Sequence, residues 1–117
     1  MKLLTLTIPA KSITLGSRIG LADTSLTRLF GLLGRRTLEP GAGLLIRPSS
    51  GVHTFAMMFP IDVVALDRDL RVLAVWRRLR PWRVTPISLK THSTLELAPG
   101  EIDRCGIEAG DQLALTE

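Results

Sequence analysis

Cysteine is close to absent from this chain. Cys105 is the one copy among 117 residues, which excludes an internal disulfide and any cysteine-based zinc knuckle. Tyrosine is missing and aromatic residues make up 4% of the chain, so aliphatic side chains must fill the interior. No apolar run approaches the roughly 20 residues that a membrane-spanning helix needs. The two histidines, His53 and His92, stand far apart with no HxH or HxxxH spacing, so neither a metal nor a cofactor is expected. Gly31 and Gly34 fall at the end of a predicted helix, whereas a phosphate-cradling loop needs glycines at a helix start. Ser49-Ser50-Gly51 reads as a turn and not as the strand-to-helix elbow of a serine nucleophile.

What is present suits one globular domain over 1–117, with 45% hydrophobic and 22% charged residues. The formal net charge of +4 is a weak pointer to an anionic partner. The opening Met1 to Ala10 superficially resembles a short signal peptide, but its apolar residues alternate with Thr and Lys11 follows at once. That alternation predicts a β-strand and a cytoplasmic protein.

Leu4, Leu6 and Ile8 share one strand face, and Pro9 ends the ladder. Ile13 and Leu15 predict a second short strand turning at Gly16, with Arg18 to Ala22 as a third. The period then changes. Leu26, Leu29, Phe30 and Leu33 form one helical stripe, started by Asp23, Thr24 or Ser25 and ended at Gly34. Further strands are expected at Leu44–Ile46, Val52–Phe55, Ile61–Leu66, Arg71–Trp76, Thr94–Leu97 and Gln112–Leu115. Val72, Ala74 and Trp76 are expected on one face. A short helix after Pro99 should end at Gly106. The sum is a mostly β (α+β) fold, a small barrel or sandwich of about seven or eight short strands with two short helices.

The segment Val52-His53-Thr54-Phe55-Ala56-Met57-Met58-Phe59-Pro60-Ile61-Asp62 sets one His and one Asp among large apolar side chains. Ionisable groups in such surroundings must be hydrogen-bonded or functional, because burying them unpaired costs several kcal/mol. His53 reads as a structural histidine, a ligand contact or a general base oriented by Asp62. Asp62 alternatively accepts backbone N–H groups and fixes a turn. Glu96, between Leu95 and Leu97, lies on the opposite strand face and has Arg35 as a possible partner.

Several of these pieces together resemble the domain-of-unknown-function 192 family. They are Phe30-Gly31-Leu32-Leu33-Gly34-Arg35, Gly43-Leu44-Leu45-Ile46, His53-Thr54-Phe55-Ala56-Met57 and Phe59-Pro60-Ile61-Asp62-Val63. Leu95-Glu96-Leu97-Ala98-Pro99-Gly100 and Gly106-Ile107-Glu108-Ala109-Gly110-Asp111 complete the set. The resemblance implies a compact, mostly β domain and no established activity. Ala56 and Met58 stand where many members carry Trp and a cation, which weakens anion binding by the motif itself. Leu70 replaces a common hairpin Gly, which implies a different turn.

The reading that follows is an uncharacterised, non-catalytic binding or accessory domain. Its ligand-binding candidates are Arg35, His53, Thr54, Met57 and Asp62, and its partner is an unknown small ligand or protein. Whether it is an enzyme stays open, the alternative being a small hydrolase that uses His53 and Asp62. A second alternative is polyanion binding through Arg77, Arg78, Arg80, Trp82 and Arg83. A solvated edge strand explains those arginines more simply, so nucleic acid is not an expected partner.

Overall fold

The computed structural model describes residues 2–24, 37–54 and 57–117. Among them run β1 (Leu3–Ile8), a 3-10 turn (Pro9–Lys11), β2 (Ile13–Ala22), β3 (Ala42–Ile46), β4 (Ile61–Leu66) and β5 (Val72–Leu79). β6 (Ser93–Leu97), helix α1 (Glu101–Cys105) and β7 (Ala114–Thr116) follow. The described strands form one sheet in the order β5-β4-β6-β3-β2-β1-β7. The β2–β3 pair is parallel and the other pairs are antiparallel. The mostly β expectation holds.

The sheet curls into a half-barrel whose two edges meet at one end. Arg71 bridges to Gln112, the Val72 N–H donates to the Asp111 carbonyl at 2.8 Å, and the Leu113 N–H donates to the Leu70 carbonyl at 3.0 Å. Lys11 ties the adjoining loop from the other side, reaching the Gly106 carbonyl, Glu108 and Asp111. Joining the edges hides backbone groups that would otherwise recruit a foreign strand.

Period-two alternation sorts the side chains into two apolar clusters. The first contains Leu4, Leu6, Ile8, Leu15, Leu45, Val64, Leu66, Leu95 and Leu97, with Ile102 and Cys105 of α1 packed on it. The second lies on the other face of β3 and β4 and contains Leu44, Ile46, Ile61, Val63, Met57 and Phe59. β4 is buried along its whole length because both faces are covered.

Several local expectations change. The two strands predicted on either side of Gly16 are one, β2. Gly16 is not a turn residue: a Cβ there would stand 2.4 Å from the Gly41 carbonyl oxygen, so glycine permits a close backbone crossing. Of the expected strand Val52–Phe55, the described residues Val52–Thr54 form none. Only His53 pairs, in an isolated bridge with Val84, and Phe55 lies outside the described residues. Val72 joins the first cluster while Trp76 packs on the second, because an irregularity in the β4–β5 register separates their faces. Leu70 has a left-handed backbone, with φ 65°, and its side chain packs on the first cluster. The helix predicted from Leu26 to Gly34 falls outside the described residues.

Candidate functional site

Asp62 is completely buried, and its carboxylate holds two distant segments through backbone donors. Oδ1 accepts the Arg78 N–H at 2.8 Å, and Oδ2 accepts the N–H groups of Gly100 at 3.1 Å and Ile102 at 2.9 Å. Gly100, the N-cap of α1, has no side chain with which to cap it. Asp62 therefore caps the helix from β4, supplying the acceptor that its first turn lacks. At the Arg78 end it secures a bulge. Ile61 pairs with Leu79 and Val63 with Trp76, so Arg77 and Arg78 both lie opposite Asp62, and Arg78 takes a left-handed φ of 49°.

Thr54 does the corresponding work one turn further along. Its hydroxyl donates to the Arg80 carbonyl at 2.6 Å and accepts the Arg83 N–H at 2.9 Å. Its backbone N–H donates to the Arg83 carbonyl at 2.8 Å, and its carbonyl accepts the Trp82 N–H at 3.0 Å and the Met57 N–H at 3.2 Å. Trp82, also left-handed at φ 64°, is thus fixed from beneath. The two buried polar side chains of the central motif hold the shape of the Arg77–Arg83 segment.

The remaining predicted residues disperse. His53 is exposed whereas Asp62 is not, so the two do not line one solvent-reachable recess. Met57 is buried in the second cluster with Phe59. Arg35 lies outside the described residues, and with it the possible Arg35–Glu96 ion pair. Arg77, Arg78, Arg80 and Arg83 line a shallow open concavity of about 520 Å³ with Val75, Trp76 and Leu79. Arg77 is paired with Asp103 at 2.7 Å. Trp82 is 63% exposed beside them.

Glu96 is absent from the predicted site residues, yet among the described residues its carboxyl stands out as buried and strongly shifted. On β6 it pairs in register with Leu44 of β3 and Val63 of β4. Cross-strand partners share a face, which places its side chain beside the second apolar cluster. It is 6% exposed, and among the described residues no donor hydrogen-bonds to its carboxyl. Burial pushes its pKa up to about 7. A local signal was available, because Thr94 and Glu96 alternate with the core residues Leu95 and Leu97. Nothing local reveals that the opposite face is covered too.

These features define a class: a small mostly β half-barrel with its polar chemistry concentrated around one central motif. The model of the domain-of-unknown-function 192 family, described as "Uncharacterized ACR", matches residues 7–115, and the chain belongs to that family. It is 26% identical over 107 residues to the UPF0127 protein PH1112 of Pyrococcus horikoshii, covering 89% of this chain and 92% of the relative. Among solved structures, it superposes on a protein of unknown function from Novosphingobium aromaticivorans with a TM-score of 0.80 at 24% identity. That match covers 96% of this chain and 83% of the other. A protein from Sinorhizobium meliloti called a "putative transcription regulator" gives a TM-score of 0.79 at 22% identity, covering 96% and 91%. Both likenesses establish the fold. No helix among the described residues is long and apolar enough to cross a membrane.

Proposed function

We propose that this protein is a non-catalytic binding domain whose ligand presents a hydrogen-bond donor, an ammonium or guanidinium group, to Glu96. The observation that carries this reading is a carboxyl buried beside Leu44 and Val63 with no donor from the described residues. Such a group costs several kcal/mol to bury, and a ligand donor arriving through its residual exposure would offset that cost. Met57 and Phe59 supply an apolar wall on the same face, and the unbranched Met adapts its shape readily. Thr54 and Asp62 act as framework in this reading. The reading favours binding over hydrolysis because both Asp62 oxygens already serve backbone donors, which removes the carboxylate expected to orient His53 as a base.

The test is a thermal-shift and calorimetric titration of the whole protein with primary amines and guanidines of graded apolar size. Binding is expected to strengthen as pH rises through about 7, because a cation prefers the ionised carboxylate. Glu96→Gln should abolish it while leaving the fold intact. No binding at any pH, or equal binding by E96Q, overturns the proposal.

A further inference from the structure

We infer that the segment carrying Arg78, Arg80 and Arg83 is a binding site for a compact phosphorylated anion, a ligand of opposite charge to the one proposed for Glu96. The first ground is charge. Arg77 has Asp103 as its partner, whereas among the described residues no carboxylate lies within ion-pair distance of Arg78, Arg80 or Arg83. Uncompensated guanidinium groups gathered on one short segment repel each other unless an anion joins them. Their planar forks match phosphate oxygens two at a time.

The second ground is shape. These side chains line a concavity with Trp76 as part of its wall, so a phosphate would be flanked on more than one side. The third is rigidity. Two residues on the segment, Arg78 and Trp82, hold left-handed conformations, which crowd the Cβ of a non-glycine residue against the following carbonyl. Buried Asp62 and Thr54 impose them through backbone hydrogen bonds. A solvated edge needs charge but not a preset backbone. Strain maintained by two buried clamps fits a site whose guanidiniums are positioned before the ligand arrives.

A compact anion suits the arrangement better than a nucleic acid strand. Arg78, Arg80 and Arg83 fall within six consecutive positions, whereas Arg71, at the other end of β5, donates to the Gly110 carbonyl. A polymer needs a track of cations along several nucleotides.

The chain supplies its own probe, because its only two tryptophans are Trp76 and Trp82, one in the wall and one in the turn. Tryptophan emission is followed while pyrophosphate is added to the intact protein in low-salt buffer, with calorimetry alongside. A saturable change that weakens as salt rises is expected. Arg80→Ala with Arg83→Ala should weaken it about 10-fold or more, since two charge-assisted contacts to the anion are lost. The double variant should keep its thermal midpoint, because Thr54 grips backbone atoms of both residues. Arg68→Ala, in the hairpin beyond the opposite end of β5, should bind as the wild type does. No saturable response to millimolar pyrophosphate overturns the inference, as does undiminished binding by R80A/R83A. Response to a single-stranded oligonucleotide with none to pyrophosphate also overturns it.

Discussion

The carboxylate of Asp62 accepts the backbone N–H of Ile102 at 2.9 Å across 40 positions of sequence. A strand residue thereby caps a helix that cannot cap itself, and the same side chain secures the bulge at Arg78. The polar atoms of the central motif are the joints of the fold.

Asp62→Asn keeps the size of the side chain but replaces one carboxylate oxygen with a donor that faces backbone N–H groups. Loss of charge-assisted hydrogen bonds in a fully buried setting should destabilise the protein by about 3 kcal/mol. Urea unfolding at neutral pH measures this. A loss below about 1 kcal/mol would mean that the capping role is dispensable.

Thr54→Val preserves shape and removes the hydroxyl that bonds Arg80 and Arg83. Leaving a part-buried N–H and carbonyl without those partners should cost about 1 kcal/mol. The damage should be local, so amide exchange at Trp82 and Arg83 is expected to accelerate more than exchange within β4. Uniform acceleration across the sheet would contradict the clamp.

Glu96 makes stability depend on pH in a direction opposite to an ordinary paired carboxylate. Its pKa rises from 4.5 to about 7 on folding, so between those values the folded protein keeps a proton that the unfolded chain releases. Stability contributed this way is present at low pH and declines as pH rises through that interval. The full effect corresponds to about 3 kcal/mol. Unfolding midpoints from about pH 5 to pH 8 should fall more in the wild type than in Glu96→Gln. Parallel curves would show that Glu96 is paired or solvated.

Cys105 is 1% exposed beside Ile102 and Ile107 in the first cluster, and burial pushes its thiol pKa up. Iodoacetamide should therefore modify it about 100-fold more slowly in the folded protein than in urea, since thiolate and access are both withheld. Equal rates would place the thiol outside the core.

Much of this architecture is legible from local patterns. The alternation of Leu4, Leu6 and Ile8, the unbroken apolar run Ile61–Leu66 and the Pro99-to-Gly106 helix each follow from periods and terminators that a few residues reveal. The site is less legible because its contacts are remote. Asp62 works across 16, 38 and 40 positions, and Thr54 reaches its partners across 26 and 29, so neighbouring residues give no hint of them. Gly16 likewise resembles a turn until Gly41 passes over it. His53 and Asp62 suggest a pair through proximity in sequence, yet one is exposed and the other buried. Glu96 offered only its alternation, since its significance depends on what packs over β3 and β4.

The most direct test of the account is a carboxyl-carbon NMR titration that reads the ionisation of Glu96 in the folded protein. A midpoint near 7 is predicted, moving downward when a cationic ligand binds. A midpoint at the ordinary 4.5 or lower would show that the carboxyl already has water or a cation beside it, contradicting the proposed binding face.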